Sequence, residues 1–173
     1  IQNPYAYGNA WFVDKVNYVD NANQELDGLA AIDLRHEAVA DKKFEKQLGT
    51  AVKQESTSMA TLKSYEPNNL KYEVNSEKGG VLVFSEIYYP GWTATVDGQP
   101  VELGRVNYVL RAMNIKPGKH EVVLDFHPAS INNTEAVAYT AYAILMVMAA
   151  FGVFMEWYKR HRKAKALKKA KAA

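Results

Sequence analysis

The stretch Val81-Leu-Val-Phe-Ser-Glu-Ile-Tyr-Tyr-Pro-Gly-Trp-Thr-Ala-Thr-Val-Asp-Gly98 decides how this chain is read. It opens on β-branched and aromatic residues, turns at Tyr89-Pro-Gly91, resumes extended character at Thr93 to Val96 and turns again at Asp97-Gly98. An Asp-Gly pair between apolar runs is among the strongest short-range hairpin signals, because both residues accept positive φ. On either side the same rhythm continues: Ala60 to Tyr65, Leu70 to Asn75, Val101 to Leu103, Tyr108 to Ile115 and His120 to Phe126 are extended runs. Glu66-Pro-Asn-Asn69, Lys78-Gly-Gly80, Asp97-Gly-Gln-Pro100 and Lys116-Pro-Gly-Lys119 supply the turns between them. Short strands at this spacing predict a mainly β fold, an antiparallel β-sandwich, with a barrel as the second choice. In the last run, Val122, Leu124 and Phe126 alternate as core-facing residues.

Upstream the pattern is different. Trp11 to Val19 carries strand-forming residues, Leu26, Leu29 and Ala30 share a helical spacing with Asn21 or Asn23 as N-cap, and Glu37 to Ala40 reads as a brief strand. Residues 1–58 are therefore expected to form a small α/β prelude that ends in a polar connection over 41–58, and residues 59–132 the sandwich. The chain opens Ile1-Gln2-Asn3-Pro4 without Met or a signal-peptide pattern, so it is expected to be part of a longer polypeptide.

Downstream, Ala136 to Met155 is a run of twenty uncharged, mostly apolar residues. At about 1.5 Å per residue such a helix is roughly 30 Å long, the thickness of a bilayer's hydrocarbon core. A transmembrane helix is expected over 133–157, entered through the capping-box spacing Asn132 to Glu135 and anchored at its far end by Trp157 and Tyr158. The alternative, a buried helix of a soluble domain, rarely stays uncharged for so long.

Charge gives the expected orientation. Eight of the 21 Lys and Arg residues lie between Lys159 and Lys171, with no acid among them, whereas the chain through Glu135 holds 13 basic and 18 acidic side chains, a net of −5. By the positive-inside rule the tail, 158–173, is expected to be cytoplasmic and residues 1–132 extracytoplasmic, with the cytoplasmic membrane between them. The acidic body speaks against a nucleic-acid surface. The tail is read first as a stop-transfer flank and second as a binder of anionic lipid.

Few residues point to chemistry. The chain has no Cys, and His36, His120, His127 and His161 lack ligand spacing, so no metal and no cofactor is expected. No phosphate loop or nucleophile elbow is present. Asp14 and Asp33 form no recognisable carboxylate pair, and the sequon Asn132-Asn-Thr134 is read as helix entry. Two charges stand on faces that should be apolar: Glu86 with Leu82, Phe84 and Tyr88, and Arg111 with Val109, Met113 and Ile115. If both faces point inward, Glu86 and Arg111 need each other, as a structural ion pair or as the lining of a polar recess. Tyr88, Tyr89 and Trp92, gathered on the turn Pro90-Gly91, offer ring faces on which a sugar can stack. The plainer reading makes Pro90, Gly91, Asp97 and Gly98 turn architecture and the rings packing residues.

Four pieces of sequence carry a family resemblance: Asn3-Pro-Tyr-Ala-Tyr-Gly-Asn-Ala-Trp-Phe12, Ser85-Glu-Ile-Tyr-Tyr-Pro-Gly-Trp92 with Val96-Asp-Gly98, Asn107-Tyr-Val-Leu-Arg-Ala112, and Pro117-Gly-Lys-His120. In that order they resemble the C-terminal end of the YfhO family of bacterial polytopic membrane proteins. The resemblance implies a multi-span parent of the GT-C glycosyltransferase type, which transfers sugar from a polyprenyl-phosphate donor to cell-envelope polymers. It places the catalytic acids in loops between earlier spans, so no catalytic residue is carried over to this chain. The expectation is a non-catalytic accessory module whose partners are the lipid bilayer, the preceding transmembrane helices of the same polypeptide and an envelope glycan. The rival readings are a membrane-anchored carbohydrate-binding or adhesion domain acting alone, and a purely structural interaction module.

Overall fold

The computed structural model describes residues 6–55 and 57–171, with the side chains of 129–133 and 164–171 left out of the description. Asn3, Pro4 and Tyr5 of the first family-like motif, and the side chain of Asn132, lie outside the described residues. The chain divides into a compact unit ending at Pro128 and a second unit from Ala129 onward.

The first unit is mainly β. Its strands are β1 (Ala10–Val13), β2 (Lys15–Val19), β3 (Glu37–Asp41), β4 (Met59–Glu66), β5 (Asn69–Ser76), β6 (Gly80–Ile87), β7 (Trp92–Val96), β8 (Gln99–Val101), β9 (Gly104–Val106), β10 (Leu110–Ile115) and β11 (Gly118–Phe126). A four-stranded sheet in the order β1-β6-β10-β9 faces a five-stranded sheet in the order β4-β5-β11-β7-β8, and every pairing within these two sheets is antiparallel. Leu82, Phe84, Met113 and Ile115 from the first sheet close on Leu70, Tyr72, Val74, Val122 and Leu124 from the second. This is the sandwich the strand rhythm predicts. Burying a Leu or Phe side chain in such a core contributes about 1.5–3 kcal/mol relative to exposure.

Strand β6 explains why its sequence reads as a continuous apolar run. Leu82 and Phe84 point into the sandwich, while Val81 and Val83 point the other way into a second core with Val106, Ala112, Ala38, Ala40, Phe44 and Leu48. A strand covered on both faces has no solvent side on which polar residues are favoured. The covering layer comes from the first 58 residues. It consists of α1 (Ala22–Leu29), the parallel pair β2–β3, a 3-10 turn (Lys42–Phe44) and the single-turn α2 (Glu45–Leu48).

Four local expectations are corrected. Trp11 to Val19 is two strands, broken at Asp14. The polar connection over 41–58 contains helical turns, because Phe44 and Leu48 sit four residues apart and bury together against the sheet. Tyr108 is not in a strand: Asn107 and Tyr108 have φ of 50° and 69° and form the turn between β9 and β10, a hairpin the sequence reading did not separate. Helix α1 does start at the Asn21 cap, whose side chain accepts from Gln24 N–H at 3.0 Å. Its buried residue, however, is Glu25 and not Leu26, which is 53% exposed. Glu25 is held by Arg105 at 2.6 Å and by the Tyr108 N–H at 2.8 Å, a paired buried charge that a hydrophobic pattern does not reveal.

The second unit is one helix, α3 (Ala129–Lys171). Within it Thr134–Lys163 is long and apolar enough to cross a membrane, with a mean hydropathy of 2.0 over its most apolar window and none of that window buried within the protein. The helix begins before Asn132, which was expected to cap it, and continues unbroken into the basic tail. Phe154, Trp157, Tyr158 and His161 form an aromatic ladder near the end of the span, with the Arg162 guanidinium 5.9 Å from the Tyr158 ring centre.

Candidate functional site

The two turns of the opening stretch shape a cleft of about 710 Å³ on the sandwich. Its first wall is Tyr89-Pro-Gly-Trp92, a turn closed by Trp92 N–H donating to the Tyr89 carbonyl. Gly91 is required there twice over. Its φ of 104° is unfavourable for any side chain, and a Cβ would lie 2.8 Å from Pro128 and 3.1 Å from the Phe126 ring. The second wall is Pro100 to Leu103, carried in by the β7–β8 hairpin, whose central residues Asp97 and Gly98 both have positive φ, 51° and 76°, as a type I′ turn demands. Gln47 of α2 also reaches the cleft.

The three aromatic residues differ in their surroundings. Tyr89 is 60% exposed, with its ring centre 6.2 Å from Phe126. Tyr88 is half-buried, edge-on to Phe44 at 5.5 Å, and its N–H donates to the Val109 carbonyl at 2.7 Å. Trp92 is half-buried between Phe126, ring centres 5.2 Å apart, and the Arg111 guanidinium, 4.0 Å from its ring centre. All three line the cleft. Trp92 therefore serves two environments, one side of the residue packing on the core and another bordering the opening.

Behind Trp92 the structure brings Glu86 and Arg111 together. Arg111 Nη2 donates to Glu86 Oε2 at 3.2 Å. Arg111 is 1% exposed, whereas the Glu86 side chain keeps 29% of its surface. The ladder slips here: Leu110 stands opposite Ile87 but Ala112 opposite Val83, so β6 gives three residues to one of β10 at the position of Arg111. Arg111 Nε and Nη1 and the Tyr72 hydroxyl have no hydrogen-bond partner among the described residues. Burial lowers the Arg111 pKa from its ordinary value, an effect that the neighbouring Glu86 carboxylate offsets. Burial pushes the Tyr72 phenol up to about 12, with Glu86 adding to the rise.

At the far end of the β7–β8 hairpin, Asp97 does more than turn the chain. His120 Nδ1 lies 2.6 Å from Asp97 Oδ2, and Asp97 Oδ1 accepts from Glu121 N–H at 2.9 Å. His120 Nε2 faces the Lys116 carbonyl at 3.1 Å. With acceptors at both ring nitrogens the imidazolium is the favoured form, since only it donates from both. The bond to Asp97 raises the His120 pKa, and the same bond lowers that of Asp97.

Sequence reasoning found the aromatic turn and the two buried-face charges but missed Gln47, Pro100 and Glu102. Gln47 was hidden in the supposed polar connection, where the spacing of Phe44 and Leu48 was the available signal. Among the described residues no group of three or more His, Asp or Glu side chains stands in a metal-binding arrangement.

A β-sandwich followed by one helix long and apolar enough to span a bilayer defines a membrane-associated module. Over residues 32–137, more than half of its length, the chain matches the family described as bacterial membrane protein YfhO, and it belongs to that family. No curated protein and no solved structure matches it.

Proposed function

We propose that this chain is the non-catalytic accessory module of a multi-span bacterial membrane glycosyltransferase that uses a polyprenyl-phosphate sugar, and that its sandwich, on the extracytoplasmic side, contacts the acceptor glycan of the cell envelope. The observation that carries this reading is the cleft in which Tyr88, Tyr89 and Trp92 border one opening. Aromatic rings supply broad apolar faces at little entropic cost, which is what the C–H faces of a sugar ring require. The membrane-spanning helix and the basic tail support the orientation.

The half-buried state of Trp92 favours a second reading, in which the turn is only packing and the module is a structural cap. The two are separated by glycan binding to the whole chain in nanodiscs, measured against envelope oligosaccharides. Tyr89→Ala, which removes an exposed ring, is expected to weaken binding several-fold, in line with about 0.5–1.5 kcal/mol for an aromatic contact, without moving the melting temperature. Trp92→Ala should abolish binding and also lower stability. A folded chain that binds no glycan is a structural module.

A further inference from the structure

The charge of the cleft narrows what it can hold. Among the described residues that line it, Glu102 alone is charged and none is Lys, Arg or His. Glu102 is exposed on the two-residue link between β8 and β9, and its carboxylate makes no hydrogen bond or ion pair with a described residue. Arg111, which packs on Trp92, is 1% exposed and bonded to Glu86, so its charge is answered within the protein. A phosphate or uronate entering here would meet a carboxylate and, among the described lining residues, no counter-charge. An ammonium group would meet the Glu102 carboxylate and the exposed Tyr89 ring, which line the same cleft, whereas Trp92 is already engaged by the Arg111 guanidinium and Phe126.

We infer that the cleft is selective for saccharides bearing free amino groups, with Glu102 as the residue that sets this preference. This rests on the glycan reading above and sharpens it: the ligand is an amine-bearing acceptor sugar, and the anionic head of a polyprenyl-phosphate donor is excluded from this cleft. No covalent step is involved.

The test uses the full chain in nanodiscs at mildly acidic pH and low salt, titrated with a glucosamine tetrasaccharide and with its fully N-acetylated counterpart. The two probes share a backbone and differ in acetylation and hence in charge. The unaltered chain is expected to bind the free-amine sugar about fivefold more tightly, the scale of one exposed charge pair plus a cation–π contact. Glu102→Gln should bring both sugars to the affinity of the N-acetylated one. Equal affinities in the unaltered chain, or a preference that persists in Glu102→Gln, overturn the inference while leaving glycan binding intact. Failure of the folded chain to bind either sugar overturns the glycan reading itself, and this inference with it.

Discussion

Arg111 concentrates the physics of this domain in one side chain. A guanidinium at 1% exposure is costly unless its charge is answered, and Glu86 answers it through a single bond of 3.2 Å while Trp92 covers its face. Removing the answer is worse than removing both groups. Glu86→Ala is expected to destabilise the fold by about 3–5 kcal/mol, because it strands a buried charge, whereas Glu86→Leu combined with Arg111→Met should recover most of that loss. Chemical denaturation of the single and double variants checks this, and equal destabilisation by both would show that the pair is not coupled. Glu86 and Arg111 were legible in the sequence because alternation marks a charge on an apolar face. Glu25 was not, since a lone acid in a polar helix carries no such mark and its partners, Arg105 and the Tyr108 N–H, lie about eighty residues away.

At the scale of elements, the β7–β8 hairpin is tied down at both ends, by the cleft wall at one and by the Asp97–His120 pair at the other. The sign of the pH dependence follows from the direction of each shift. His120 has its pKa raised by Asp97, so its contribution is complete below the ordinary imidazole value and is lost as pH rises through the folded one. Asp97 has its pKa lowered, so its contribution is lost as pH falls through the folded value. Stability from this pair is therefore greatest in mildly acidic solution. The melting temperature is expected to fall by a few degrees between mildly acidic and mildly alkaline pH, and His120→Gln should flatten that slope. Most strands were readable because each is bounded by Gly, Pro or Asp-Gly. The short β9 and the helical turns at 42–48 were not, because three or four residues are too few for a full period: the single spacing of Phe44 to Leu48 stood alone, and tertiary burial of Val106, Phe44 and Leu48 defines these elements.

For the whole molecule, the chain's lack of Cys makes its orientation open to direct measurement. A single Cys at Glu77, an exposed turn residue, is expected to react with a membrane-impermeant maleimide in intact cells, and a single Cys at Ala170 only after the membrane is opened. The reverse pattern would place the sandwich in the cytoplasm and remove it from any envelope glycan. The mainly β fold, the helix long and apolar enough to span a bilayer, and the aromatic turn were visible in the sequence because each rests on local pattern. The rest of the cleft was not, since only packing brings Gln47 and the segment Pro100 to Leu103 to the aromatic turn.

The double coverage of β6 carries a practical consequence for anyone handling this protein in pieces. Its outer face is roofed by the first 58 residues and its edge is occupied by β1, seventy positions earlier in the chain. Expression starting at Met59 would strip the roof and the neighbour together, leaving Val81, Val83, Val106 and Ala112 wet beside an unpaired β6 backbone. An apolar face next to an open strand edge is a template for aggregation. The strand-rich half is thus not a separable unit, and the prelude must travel with it.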